Sequence, residues 1–393
     1  MRVFYASDTT PNDMFASNIW RNNLYLPLVD LGHDVVEFRY DLRKTFRSLD
    51  HTDPAQQAFI AKNRPRVSDA LLTQIRVAHA AKPVDLFFSY FYDACVLPET
   101  IEQIKRLGIT TVNWYCNGSY QLHLVAEIAP HYDWCLVPEK FRIPDYERMG
   151  ARPLYCQEAA NPNIYRPFDV PVEFDVTFVG QAYGERPQII KGLRDSAIDI
   201  RVWGYGWDRY VRWPAPSTVL RALARRARAV PHLLTAAGRV RGSHQLRRAG
   251  RETGAGRSRR RVQLPRRILG GVLDDLQMIQ MFSRSKINLG FSACGDPQRM
   301  QERILQIRLR DFEVPMSGGF YLVEYMEELE EFFRPGEEVV CYRNLEDLVE
   351  KLRYYLRHDG ERERIRRAGF DRCRRDHTWH RRFQTAFRQM GLE

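Results

Sequence analysis

RLRDFEVPMSGGFYLVEY, residues 308–325, reads as a helix, a glycine stop and a buried strand in immediate succession. Glu313 lies in the helical part, Gly318 and Gly319 end it, and FYLV (320–323) is the apolar run of a strand covered on both faces. A helix feeding straight into such a strand belongs to a parallel sheet, whose neighbouring strands are joined by crossover helices. The same alternation recurs outward from it. KINLGF (286–291) and VVCY (339–342) read as strands, helices are predicted near 273–284 and through Phe312, and Asn344 is placed to cap LEDLVEKLRYYL, whose apolar residues 345, 348, 349, 352 and 356 share one face. Upstream, FDVTFVG (174–180) is a strand ending in glycine, Pro187 suits the first turn of a following helix, and IRVWG (200–204) is the next strand.

The first half repeats the pattern. RVFYAS (2–7), DVVEFRY (34–40), VDLFFSY (84–90), TTVNWY (110–115) and WCLVP (134–138) read as strands, with helices predicted over 17–31 and 99–108. Pro27 is expected to kink the earlier helix and Gly32 to stop it. ANPNIYRPFDVPVE (160–173) carries three prolines and two asparagines and reads as a linker. The expected fold is therefore α/β, with two Rossmann-like domains facing across a cleft, residues 1–165 and 166–375. A terminal helix in 376–393 is available to pack back on the first domain.

Composition narrows the function. The chain has 393 residues, of which 44% are hydrophobic, enough to bury a core in each of two domains. Its seven cysteines are scattered without a C-x2-C pair, which suggests neither a disulfide framework nor a thiolate zinc site and fits a reducing, cytoplasmic compartment. The start MRVFYASDTTPND reads as neither a signal peptide nor a span, and no run of 18 apolar residues occurs, so at most peripheral membrane contact is expected. The net charge of +11 is local: residues 212–267 hold sixteen arginines, no lysine and one acid, Glu252, so this stretch carries +15 and the rest of the chain −4. A nucleic-acid binder would spread its cations over a folded face, and specific nucleic-acid binding is not expected. The segment 215–265 is expected to lack order of its own, to be dispensable for ligand binding and to include a basic amphipathic stretch able to lie on anionic lipid.

Two places look made for an anion. In FVGQAYGERP, Gly180 and Gly184 allow a tight turn after the strand, and Arg186 at the helix start can pair with a phosphate. In 308–325, Glu313 can accept the two hydroxyl protons of a ribose diol, and Gly318 and Gly319 let backbone N–H groups approach a diphosphate. An ordinary βα loop with a solvated arginine and a helix cap with a surface glutamate are the plain alternatives.

SRSKINLGFS (283–292), IRLRDFEVPMSGGFYLVEY (307–325), FFRPGEEVVCYRNLEDLVEKLRYYL (332–356) and RDHTWHRRF (375–383) occur in an order that resembles the C-terminal half of the spore-maturation-protein-B-like (CgeB-like) glycosyltransferases, two-domain enzymes of the GT-B fold. The resemblance extends more loosely to FDVTFVGQAYGERP, VWGYGW, YDWCLVPE, MGARPLYCQEAANPNIYRP and GHDV, and 212–267 lies outside it. It implies transfer of a sugar from a nucleotide-diphosphate donor to a glycan, a lipid-linked saccharide or a protein. It places Glu313 at the donor ribose, Arg186 and the terminal glycine Gly180 at the diphosphate, and Gly318 and Gly319 near the phosphates. Many retaining relatives carry a second glutamate eight residues before the ribose one; here Leu305 stands there, with Glu302 and Arg308 as off-register substitutes.

The leaving diphosphate needs charge stabilisation. The chain has no D-x-D pair, only Asp311 and Glu313 as D-x-E, so a reaction without metal or other cofactor is expected, with Arg186, glycine N–H groups and Lys286 carrying the charge. A general base belongs in the first domain, where Asp8 and His123 are the candidates; Asn117, an amide where relatives often carry an aspartate, cannot serve. His377 and His380 are read as packing residues. An epimerase or hydrolase acting on the same donor, and an anionic-membrane or nucleic-acid binder using the arginine segment, are the competing classes.

Overall fold

The computed structural model describes residues 1–8, 17–211, 262–295 and 303–392. Six strands form the first sheet: β1 Arg2–Ala6, β2 Asp34–Glu37, β3 Leu86–Ser89, β4 Thr110–Trp114, β5 Trp134–Val137 and β6 Pro153–Tyr155. They pair in the order β2-β1-β3-β4-β5-β6, every pair parallel. The second half contributes β7 Phe174–Val179, β8 Ile200–Trp203 and β9 Ser285–Gly290. A short antiparallel ribbon follows, β10 Ala293–Cys294 with β11 Ile304–Leu305, and then β12 Tyr321–Glu324 and β13 Val340–Tyr342. The second sheet has the order β13-β12-β9-β7-β8 and is also parallel throughout. The strand order reverses between β1 and β3 in one sheet and between β7 and β9 in the other, and in doubly wound sheets ligands collect beyond the carboxyl ends at those reversals.

Helices cover both faces of each sheet, which is why the strands are continuous apolar runs: Leu86 to Ser89 are buried to the last residue. The long helix Pro54–Ala81 is absent from the sequence reading, because Pro65 interrupts it and its apolar residues are sparse. It packs through Val67, Leu71, Ile75 and Ala78, and Asp53 caps it by accepting from the Ala55 N–H. The predicted helix over 17–31 is helical without a break from 19 to 30, but its middle, Arg21–Tyr25, is a wide π turn that runs directly into the α-helical piece Leu26–Asp30. Pro27 lies inside this helix just after the π turn, so the distortion falls next to the proline, where a missing N–H and the ring disturb the regular ladder. Asn344 caps its helix as expected, accepting from the Asp347 N–H at 2.9 Å.

The linker after β6 and the end of the chain lock the halves together. Tyr165 is buried and accepts a hydrogen bond from Asn23 Nδ2 at 3.1 Å, while Asp275 accepts from the Asn18 N–H and Asn22 Nδ2. Helix Trp379–Met390 sends Trp379, Phe383 and Phe387 into the core of the first domain, Trp379 lying edge-on to Trp114 at 5.1 Å.

The arginine segment lies outside the described residues over 212–261, and so do the expectations placed on it there. Its far end differs from the reading. Leu264 and Ile268 are buried in the second core, and the Leu264 N–H donates to the Tyr210 carbonyl at 2.7 Å. Residues 262–267 thus belong to the domain, and Val211 and Leu264, bridged to each other, bring the two flanks side by side. All seven cysteines are free thiols.

Candidate active site

The turn after β7 is built by close backbone approach. Gly180 passes the backbone of Gly204 so closely that a Cβ on Gly204 would lie 2.2 Å from the Gly180 carbonyl oxygen. The Gly180 N–H donates to Trp203 O and its carbonyl accepts from Trp207 Nε1 at 2.8 Å, so its own N–H is used inside the domain rather than aimed at a ligand. Gly180 shapes the turn. What the turn delivers is Arg186, first residue of the helix Arg186–Asp195, at the β7/β9 reversal.

Arg186 is a buried cation without a counter-charge. Its guanidinium stacks over Tyr183 at 3.9 Å and faces Phe178 and Phe291, Nη1 donates to the Gln181 carbonyl at 3.1 Å, and Nε is buried without a partner. No carboxylate among the described residues pairs with it. Burial lowers its pKa to about 10, so it remains charged at neutral pH. Arg308 stands beside it: its Nη2 donates to the Tyr183 hydroxyl at 3.0 Å and to the Ala293 carbonyl at 2.9 Å, and its Nε is also buried and unpartnered. Two guanidiniums on either side of one tyrosine repel each other when the site is empty and are both satisfied by a bound anion with several oxygens. A shallow recess beside Arg186 is lined by Tyr183, Gly184, Glu185, Ala293, Gly295 and the Arg303–Glu324 ion pair.

Glu313 lies on the helix Leu309–Met316 at the domain junction. It is 1% exposed; Oε2 accepts from Arg310 Nη1 at 2.5 Å, and Oε1 is buried beside the Tyr165 hydroxyl without a hydrogen bond of normal geometry. Asp311, next but one, receives the Tyr321 hydroxyl at 2.7 Å and the Arg308 N–H at 2.8 Å, and burial pushes its carboxyl up to about 6.

Three of the expected donor contacts are elsewhere. Lys286 lies at the amino end of β9, the end of the sheet away from the cleft, and is paired with Asp175 at 2.7 Å. Gly318 and Gly319 sit at the amino end of β12. The Gly318 N–H donates to Pro315 O and the Gly319 N–H to Val314 O, the double bond that ends a helix in a left-handed residue, and Gly318 has φ +69°. A Cβ on either glycine would collide, with Pro167 or with Asn288. Their N–H groups stop the helix and pack the linker, so neither pair member reaches a diphosphate. Leu305 pairs with Ala293 in the β10–β11 ribbon, and Glu302 falls outside the described residues.

On the first domain the structure brings Asp8 and His123 to the same sheet end, together with two residues the sequence reading passed over. His51 Nε2 is 3.4 Å from Asp93 Oδ1, and the His51 and His123 rings meet edge-on at 5.9 Å. The charge of Asp8 acts on Tyr92 and Cys95 in this cluster. Burial raises the Asp93 carboxyl and His51 counters it. Asn117 is tied to Tyr90 and Tyr120, His380 pairs with Asp30, and His377, buried against Phe332 O, is lowered to about 4 and is neutral.

A second group missed by sequence gathers on the other side of β4. Glu139, Glu158, Gln157 and Gln306 meet in a narrow seam between the domains that has no room for a bound molecule. Burial pushes the Glu139 carboxyl up to about 7 against the hydrogen bond from the Ser119 N–H and the attraction of Arg142. Because the folded pKa exceeds the ordinary value of 4.5, folding binds this proton; the stability it gives is full below about pH 4.5 and is lost as pH rises through 7, on the order of 3 kcal/mol. The ligand-free protein should therefore melt several degrees lower at pH 8 than at pH 5, and Glu139→Gln should flatten that slope. A profile unchanged by the substitution would place the titration elsewhere.

Comparison with known proteins fits this geometry. A family described as glycosyl transferase-like matches residues 244–388. No curated protein matches the chain. Among solved structures, sucrose-phosphate synthase from Thermosynechococcus elongatus is similar with a TM-score of 0.57 and 11% identity over 99% of this chain and 98% of that one. Anabaena HepE in complex with UDP-glucose is similar with a TM-score of 0.54 and 10% identity over 100% and 99%. A glycosyltransferase from Rickettsia africae gives 0.52 and 9% over 99% and 98%. The fold is GT-B, two parallel α/β domains about a cleft, with a glycosyl transferase-like region that spans most of the second.

Proposed function

We propose that the protein is a glycosyltransferase that moves a sugar from a nucleoside-diphosphate sugar to a glycan, lipid-linked or protein acceptor, and that it stands within the CgeB-like group. The observation that carries this reading is the pair of buried guanidiniums, Arg186 and Arg308, flanking Tyr183 with no ion pair to a carboxylate among the described residues, Arg186 standing at the β7/β9 reversal. Burying a charge without a partner is costly, and two such charges on either side of one tyrosine call for a polyanionic ligand. HepE, which shares the fold over the whole chain, was solved with UDP-glucose and with UDP and glucose, which supports a diphosphate-linked sugar as that ligand. The acceptor is assigned to the first domain, where a hydroxyl arriving over Asp8, His51, Asp93 and His123 would meet the groups able to take its proton.

No described helix is long and apolar enough to cross a membrane. Peripheral contact through 212–261 would suit a lipid-linked acceptor, and the adjacency of Val211 and Leu264 makes that stretch removable without stretching the domain. The test is a thermal-shift screen of nucleoside diphosphates on the full chain and on a variant lacking residues 213–261. We expect one diphosphate to stabilise both to the same extent, and vesicles with anionic lipid to retain only the full chain. Failure of every nucleoside diphosphate to stabilise the full chain would overturn the transferase reading; donor consumed equally fast with and without acceptors would turn it toward a hydrolase.

A further inference from the structure

Arg186 and Arg308 carry like charges that act on each other across Tyr183, so their spacing has to be imposed by the groups around them. A frame of charged side chains borders the pair. Glu324, the last residue of β12, is 5% exposed. Its Oε2 accepts the Ser292 N–H at 3.1 Å and the Ala293 N–H at 3.2 Å, its carbonyl accepts from Ser292 Oγ at 2.9 Å, and its Oε1 accepts from Arg303 Nη2. Arg303 in turn donates from Nε to Glu185 at 2.9 Å. Each end of this frame stops one step short of a guanidinium. Glu185 directly precedes Arg186 and stands at the N-cap of its helix, its carbonyl accepting from the Gln188 and Ile189 N–H groups. Ala293, whose N–H is held by Glu324, presents its carbonyl to Arg308. The run Arg186, Glu185, Arg303, Glu324, Ala293, Arg308 thus ties together the loops that leave the carboxyl ends of β7, β9 and β12.

We propose that Arg303 and Glu324 are positioning residues for the diphosphate: Arg303 acts through Glu185 on Arg186, Glu324 acts through Ala293 on Arg308, and their ion pair fixes the distance between the two guanidiniums. The proposal rests on the reading of the protein as a nucleotide-sugar transferase whose diphosphate meets both arginines. Glu185 and Glu324 turn their oxygens to Arg303 and to backbone N–H groups rather than to Arg186 or Arg308. The frame therefore holds the pair in place without cancelling the positive charge the ligand needs. A charge-assisted bond is worth about 10- to 150-fold in affinity and weakens steeply as its geometry drifts, so the frame governs how much of that each guanidinium delivers. Neither positioning residue needs to touch the ligand.

The test titrates the full chain with the nucleoside diphosphate that stabilises it most and with the matching nucleoside. Arg303 is 39% exposed, so Arg303→Ala should keep the wild-type unfolding transition. It should weaken the diphosphate about 10-fold and leave the nucleoside within about twofold, whereas a merely structural defect would weaken both. Arg303→Lys keeps a charge able to reach one carboxylate and should recover part of the loss. In an Arg186→Ala background, Arg303→Ala should cost little more, because the two act through one contact. Glu324→Ala also frees Ala293 behind Arg308; it should cost more than Arg303→Ala and keep part of its effect in that background. If Arg303→Ala binds the diphosphate as the wild type does, weakens the nucleoside equally, or adds in full to Arg186→Ala, the positioning role is overturned and the transferase reading stands. If no nucleoside diphosphate binds even the wild type, the transferase reading itself has failed.

Discussion

Arg186→Ala is expected to lower kcat about 10²-fold, and the reaction it slows is expected to survive EDTA. When the glycosidic bond to the donor breaks, negative charge grows on the bridging oxygen of the diphosphate. Arg186 is fixed at a helix start, stacked on Tyr183 and held by the Gln181 carbonyl, so it needs no rearrangement to meet that charge. Fixed charges in a poorly hydrated recess act more strongly than the same groups in water. Arg308 on the other side of Tyr183 supplies a second, which is why loss of one should slow the reaction without abolishing it. Arg186→Lys should recover part of the rate, as a point charge that cannot donate from a planar fork. The substitution should not destabilise the ligand-free protein greatly, because the residue it removes is a buried cation that no carboxylate among the described residues pairs with. A strict requirement for Mn²⁺ or Mg²⁺, or an alanine variant with unchanged kcat, would refute this assignment of charge stabilisation.

The legible parts of the molecule are those whose signal is local. Buried parallel strands are continuous apolar runs, so Leu86–Ser89, Thr110–Trp114 and Tyr321–Glu324 lie where their sequences place them. Arg186 was legible for the same reason: a glycine-ended strand and a Pro at the second helical position fix a turn within a few residues. Helix Pro54–Ala81 was not, since only a narrow stripe, Val67, Leu71, Ile75 and Ala78, touches the core and Pro65 argues against a helix from inside it. Gly318 and Gly319 show the opposite error. Paired glycines have the same sequence signature whether they admit a phosphate or end a helix, and only the end of the strand on which they fall separates the two. The groups that sequence missed, His51 with Asp93 and Glu139 with Glu158, each come from separate loops of the first domain. Each looks like an ordinary loop residue until the sheet ends and the interdomain linker bring the partners together.

Glu313 is the donor contact for which sequence and structure give different kinds of support, and Glu313→Ala is therefore the sharper test of where the nucleoside sits. The sequence reading assigns Glu313 to the ribose. The structure shows a carboxylate 1% exposed at the domain junction, one oxygen held by Arg310 and the other buried beside Tyr165 without a proper hydrogen bond. A ribose diol donates two protons and would satisfy the free oxygen, leaving Arg310 to hold the carboxylate aligned. A hydrogen bond to a charged group is worth roughly 1.5 to 3 kcal/mol, so Glu313→Ala should weaken nucleoside-diphosphate binding about 10- to 150-fold and remove most of the thermal stabilisation the ligand gives. Glu313→Gln separates charge from shape: it keeps an acceptor but cannot hold Arg310 as an ion pair, and should fall between alanine and wild type. The 2′-deoxy form of the same diphosphate should lose affinity for the wild type and show little further loss in Glu313→Ala, since the hydroxyl and the carboxylate are two ends of one bond. Equal affinity of wild type and Glu313→Ala for the ribose form would leave Glu313 as a structural carboxylate between Arg310 and Tyr165, and the ribose would have to be sought elsewhere along the second sheet.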